Sequence, residues 1–116
     1  MKSRMDQWTV KLSDAAEKDF QGIVEWAAEN FGETQALIYA ETLALALESL
    51  AEGPSLVDAK QRDEILKGLR SLHVERQGRK GLHFIMFRVA GGDRKVIEVL
   101  RVLHDSMDLS RHLALR

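Results

Sequence analysis

The chain of 116 residues has no cysteine, one proline and one tyrosine. Without cysteine there are no disulfides, thiolate metal sites or thiol nucleophiles, and a reducing compartment is the natural setting. No apolar run approaches the roughly 18 residues that a membrane span needs. Met1 to Gln7 is polar and has no secretory h-region. The expected protein is therefore soluble and cytoplasmic. There is no phosphate loop, no glycine fingerprint before a helix and no HExxH, so neither cofactor nor metal is expected. Charge of one sign is lacking too: 17 Lys and Arg face 18 Asp and Glu. The pI of about 6.4 argues against strong nonspecific nucleic-acid binding by the whole domain.

What is present is globular: 45% of residues are hydrophobic and 30% charged. One domain covering 1–116 is expected. The neutral total hides a split, because residues 1–59 hold 4 basic and 11 acidic side chains and residues 60–116 hold 13 and 7. All four histidines, His73, His83, His104 and His112, lie in the second half. A chain so polarised can dock a partner through each end, or simply carry two differently solvated surfaces.

The hydrophobic period changes along the chain. Trp8 to Leu12 alternates as a half-buried strand does. Ser13-Asp14 then opens a helix, and Asp14 with Glu17 forms a capping-box pattern. Phe20, Ile23, Val24, Ala27 and Phe31 make its apolar stripe, and Gly32 ends it. A second helix is predicted from about Glu33 to Glu52, ended by Gly53-Pro54. Leu37, Ala40, Leu43, Leu47 and Leu50 line one side of it, and Ile38 with Leu45 starts a second line. That second line is to be buried by the first helix or by a partner. Residues 55–67 read as a charged connector with a helical turn at Asp63 to Lys67. Leu69 to Val74, Leu82 to Val89 and Val96 to Leu103 read as three strands in meander order, hence antiparallel. Asp108 to Leu113 is a short terminal helix or tail. The fold class is α+β, in the order β-α-α-β-β-β, with a helical hairpin on a small, mainly antiparallel sheet.

Chemistry is sparse. His73 and His83 are placed to meet across neighbouring strands, but two histidines are not a site. Ser106, His104 and Asp105 are sequence neighbours without a nucleophile elbow, which disfavours a triad. Lys67, Arg70, Arg76, Arg79, Arg88 and Arg101 sit on or beside the predicted sheet. Such arginines can hold phosphate, or can pair with the acidic hairpin or an acidic partner. Trp26 reads as core rim.

The segments Gly68-Leu69-Arg70-Ser71-Leu72, His83 to Val89, Ile97 to His104, Met107-Asp108 and His112-Leu113 carry a resemblance. With Trp26, the Phe31-Gly32 break and the Leu-rich second helix, their order resembles the ParE branch of the RelE/ParE toxin superfamily over about residues 8–113. The resemblance implies the toxin of a type II toxin–antitoxin system, of the kind that stabilises plasmids. It implies a ParD-like antitoxin with a ribbon-helix-helix head and a C-terminal segment wrapped around the toxin. ParE toxins poison DNA gyrase, whereas RelE relatives cleave mRNA on the ribosome and tend to be basic with a late catalytic tyrosine. This chain is near neutral and has no tyrosine after Tyr39, so the gyrase branch is favoured and no catalytic residue is expected.

Under that resemblance, target contact is assigned to Arg88, Arg101, His104, Asp105, Met107, Arg111, His112 and Arg116. Antitoxin contact is assigned to Trp26, Ile38, Leu45 and Arg70. No membrane contact and no sequence-specific nucleic-acid binding are expected. The alternative is a ribosome-dependent mRNA endonuclease using His83, Arg88, Arg101 and His104. A non-toxic interaction domain is the third reading. In the favoured reading the surface serves capture by a macromolecule and is not a closed pocket for turnover.

Overall fold

A computed structural model describes residues 7–56, 58–92 and 94–113. The elements run β1 Thr9–Leu12, α1 Asp14–Phe31, α2 Glu33–Ser49, β2 Lys60–Gln61, β3 Arg70–His73, β4 His83–Val89, β5 Val96–His104 and α3 Leu109–His112. The strands form one sheet in the order β1-β5-β4-β3-β2. The meander β3-β4-β5 is antiparallel, and β1 joins β5 in parallel, Val10 opposite Ile97. The expected α+β fold is therefore present, extended by β2. That two-residue strand lies within the connector and pairs Lys60 with Ser71. The helical turn of the connector is also present, with Ile65 and Leu66 both donating to the Arg62 carbonyl.

Two apolar layers flank the sheet. Leu72, Ile85, Phe87, Ile97, Val99 and Val102 meet Ala16, Leu43, Ala46 and Leu50 of the hairpin and the turn after it. On the far face, Leu69, Met86, Leu103 and Leu113 form a smaller cluster with Ile65, Leu66 and Leu109. Each fully buried large side chain here is worth roughly 1.5–3 kcal/mol. The helix-facing side chains are those of Ile85 and Phe87 on β4, and the far face takes Phe84, Met86 and Arg88.

The buried line of α2 differs from the predicted stripe. Ala36, Leu43, Ala46 and Leu50 are buried with Thr42, whereas Leu37 is 71% exposed. Small alanines let the hairpin helices and the sheet approach closely, so bulk is a poor guide to the inner face. Ile38 and Leu45 remain exposed, so α1 does not cover the second line. On α1, Phe31 is likewise exposed, not core. The helix also stops early: α2 tightens at Leu50–Glu52 into a 3₁₀ turn before Gly53.

Ser13, not Asp14, is the N-cap of α1, because its Oγ accepts the Ala16 N–H at 3.0 Å. The same hydroxyl donates to the Leu100 carbonyl at 2.8 Å, 87 residues away. Leu100 is the extra residue of a β-bulge, since Met86 faces Arg101 while Phe87 faces Val99. Ser13 thus ties the start of α1 to the bulge. Ser13→Ala is expected to lower unfolding stability by about 1–2 kcal/mol, from the cap loss and the freed carbonyl, in a urea titration. A loss within 0.3 kcal/mol, roughly the noise of such comparisons, would show that the link carries no weight.

Candidate docking groove

Beyond Val99, β5 has no strand beside it on the β1 side. Asp19 of α1 occupies that edge. Its carboxylate accepts the Arg101 Nε–H at 2.7 Å, the Arg101 Nη2–H at 2.9 Å and the Val102 backbone N–H at 2.9 Å. The hydrogen-bonded Asp19 holds the Arg101 guanidinium above its usual pKa. This clamp ties α1 to the free half of β5. The space between them is a groove of about 620 Å³.

Its walls are mainly apolar: Ile23, Trp26, Ala27 and Phe31 on one side, Leu82, Val102, Leu103 and Met107 on the other. Trp26 packs edge-on against Phe31 with ring centroids 5.4 Å apart, and is 55% exposed, so it is groove wall and not core rim. The polar end is made by Tyr39, His83 and His104, with Lys18, Asp19 and Arg101 along the rim.

That end is ordered by a chain of hydrogen bonds. Tyr39 Oη accepts the Leu82 N–H at 2.9 Å, so its own proton goes to His83 Nδ1 at 2.7 Å. His104 Nδ1 accepts the Ser106 N–H at 3.1 Å and faces Ser106 Oγ at 2.7 Å. His73 Nδ1 accepts the Glu75 N–H, and its Nε2–H donates to Asp105 at 2.9 Å. With Nδ1 so engaged, the nitrogen left to donate on each ring is Nε2. Burial and the neighbouring His104 push His83 down to about 4. Burial also raises the Tyr39 phenol, and the hydrogen bond from His73 keeps the Asp105 carboxyl below its ordinary range.

The histidine contacts correct the sequence reading. His83 stands opposite His104, ring centroids 5.2 Å apart, while His73 stands opposite Phe84. His104, Asp105 and Ser106 do meet, yet Asp105 at 3.6 Å and Ser106 both face Nδ1. A relay needs acid and nucleophile on opposite nitrogens, so no triad exists.

The arginines are mostly committed. Arg76 chelates Asp58 and also bonds Ser49, holding the Asp58 carboxyl below its usual range. Arg79 binds Glu41, Thr42 and the Ile38 carbonyl. Arg88 pairs with Glu98 on the far face of the sheet. Pairing with nearby acids, several of them on the hairpin, is thus the outcome for Arg76, Arg79, Arg88 and Arg101. Arg70 and Lys67 make no ion pair among the described residues.

The assigned residues are distributed unequally. Trp26, Arg101, His104 and Met107 share the groove, and Asp105 lies just past His104. Ile38 borders a neighbouring recess with Thr42 and Arg79, and Leu45 is exposed further along α2. Arg70 is on β3 near the opposite sheet edge, and Arg88 is across the sheet. Arg111 and His112 belong to α3, while Arg116 lies outside the described residues. Sequence reasoning missed Ile23, Tyr39 and Leu82 as groove residues. The Asp19 clamp also went unseen, because a lone acid in the second turn of a helix gives no sign of a partner 82 residues on. Among the described residues no group of acids and histidines could hold a metal, and no helix is long and apolar enough to cross a membrane.

Comparison with known proteins agrees with this fold. A family profile described as "ParE toxin of type II toxin-antitoxin system, parDE" matches residues 10–109. Toxin ParE1 of Caulobacter vibrioides is 34% identical over 103 residues, covering 89% of this chain and 95% of that protein. Toxin ParE1 of Mycobacterium tuberculosis is 33% identical over 102 residues, covering 88% and 94%. A solved structure of the chromosomal ParDE system from P. aeruginosa superposes with a TM-score of 0.68 at 22% identity, covering 85% of this chain and 97% of that one. The RelBE2 toxin–antitoxin complex from Mycobacterium tuberculosis shares the fold at a TM-score of 0.58 and 20% identity, covering 89% and 97%. The chain with the Asp19 clamp and the histidine-ended groove belongs to the ParE family of type II toxin–antitoxin toxins.

Proposed function

We propose that this toxin acts by occupancy, binding DNA gyrase and trapping a cleaved DNA complex, and that a ParD-like antitoxin neutralises it in the cytoplasm. One observation carries the reading. Trp26, assigned to the antitoxin, lines the same groove as Arg101, His104 and Met107, assigned to the target. An antitoxin segment seated there covers the surface that gyrase needs, so neutralisation is simple competition. The exposed Ile38 and Leu45 continue the antitoxin path over α2. Turnover is less well supported: a histidine that protonates near pH 4 is a weak general base at neutral pH. Arg88, needed by the endonuclease alternative, is bound to Glu98 across the sheet from His83 and His104.

The test is a gyrase supercoiling assay with purified toxin. Loss of supercoiling or accumulation of linear DNA is expected, reversed by the antitoxin encoded beside the toxin. Cleaved mRNA in a translating extract with gyrase untouched would replace this reading with the endonuclease. Neither effect, with antitoxin binding intact, would leave an interaction domain. Leu45→Glu should weaken antitoxin binding at least about tenfold, the worth of part of one apolar anchor. The fold should hold, because Leu45 is already 42% exposed. Unchanged affinity in a calorimetric titration would remove α2 from the interface.

A further inference from the structure

The polar end of the groove offers donors and few acceptors. Nδ1 of His83 and of His104 is filled by the Tyr39 hydroxyl and by Ser106. What each neutral ring can present to an occupant is its Nε2–H. The Asp19 oxygens are engaged by Arg101 and the Val102 N–H, and the Tyr39 oxygen already takes the Leu82 N–H. Lys18, also on the rim, makes no ion pair among the described residues. An apolar trough ending in two N–H donors beside an unpaired ammonium complements an apolar segment that carries a carboxylate.

We propose that His83 and His104 form a subsite for an acidic side chain of the antitoxin's wrapping segment, whose apolar neighbours seat against Ile23, Trp26 and Phe31. This rests on the antitoxin reading of the groove. The carboxylate accepts both Nε2–H groups, with Lys18 adding positive field. Around the imidazoles stand Lys18 and Asp19 of α1, Tyr39 of α2, His73 of β3, Arg101 of β5 and Asp105 of the following turn. Asp105 does not fill the subsite: its Oδ2 takes the His73 proton, and its Oδ1 faces His104 on the Nδ1 side.

The experiment is calorimetric titration of the toxin with its full-length cognate antitoxin at pH 7.5. His104→Ala should lose about tenfold or more in affinity, the scale of one charge-assisted hydrogen bond. His104→Gln and His83→Gln keep an N–H donor, so each should recover most of the affinity that alanine loses. Circular dichroism melts confirm that each variant is folded. Wild-type affinity in His104→Ala, with Trp26→Ala still weakened, would overturn the acidic subsite and leave the groove reading standing. Wild-type affinity in Trp26→Ala as well would overturn the groove reading and the subsite with it.

Discussion

Asp19→Ala is expected to destabilise the toxin by about 2–4 kcal/mol, between the worth of an exposed ion pair and the loss of one partner from a buried one. The Asp19 side chain is only 16% exposed, and Arg101 is 28% exposed. Removing the carboxylate takes two hydrogen bonds from Arg101 and leaves the Val102 N–H without its Asp19 acceptor, at an edge with no other strand beside it among the described residues. Asp19→Asn keeps an acceptor for Val102 but loses the charge, so an intermediate loss is expected. The double variant Asp19→Ala with Arg101→Ala should be less damaged than the sum of the two singles, because the two side chains share one set of hydrogen bonds and couple. Urea unfolding measures all four proteins. A loss under about 0.5 kcal/mol for Asp19→Ala, the level of an ordinary surface change, would show that the clamp does not hold α1 to β5. The groove depends on this clamp, so antitoxin affinity should fall with stability in the same variants.

Acidification is the second large effect. Folded, His83 takes its proton only near pH 4, whereas its ordinary value is 6.5. Between those values the unfolded chain binds more protons, so stability is complete above pH 6.5 and drains as the pH falls toward 4. The full shift overstates the loss, because the ring is only partly buried and water screens it; about 1–2 kcal/mol is the expected size. Asp105 acts in the same direction at lower pH, since its carboxyl, held down by His73, gives up its contribution only as it protonates. Urea midpoints at pH 7.5 and 4.5 should therefore differ for the wild type. His83→Gln should be less stable at pH 7.5, having lost the full Tyr39 contact, but nearly insensitive between the two values. An equal slope in wild type and variant would assign the acid loss to another group.

Much of the fold is legible in the sequence, and the reasons are local. Period-two alternation in Thr9 to Leu12, helical spacing from Phe20 to Ala27 and the β-branched run at Val96 to Leu103 each report the surface they sit on. The glycines at 32 and 53 sit where the chain needs φ of +92° and +111°, and they mark the helix ends well. What fails is whatever needs a partner's position. Lys60-Gln61 has no strand pattern of its own and exists because β3 offers an edge. Leu37 and Phe31 look like core until the alanines on the inner faces are seen to set the packing distance.

The site was legible in its residues and not in its grouping. Trp26, Arg101, His104 and Met107 were all singled out, but as members of two surfaces. Their meeting depends on the bulge at Leu100, which shifts the register of β5 by one residue and so decides what faces His83. A hairpin turn can be read from Gly91-Gly92, but the partner of each histidine cannot. The arginines show the same limit. Their charge is plain in the sequence, while their commitment to Asp19, Glu41, Asp58 and Glu98 is a property of the folded chain.

The parallel pairing of β1 with β5 has a consequence for biosynthesis. Among the described residues β1 has β5 as its only neighbour in the sheet, so Val10 stays unpaired until Ile97 has been made. A nascent chain interrupted before β5 has only Leu72, Ile85 and Phe87 of the sheet to set beneath the hairpin, and it lacks the β5 wall of the groove. The groove of the folded chain is therefore complete only once β5 has been made.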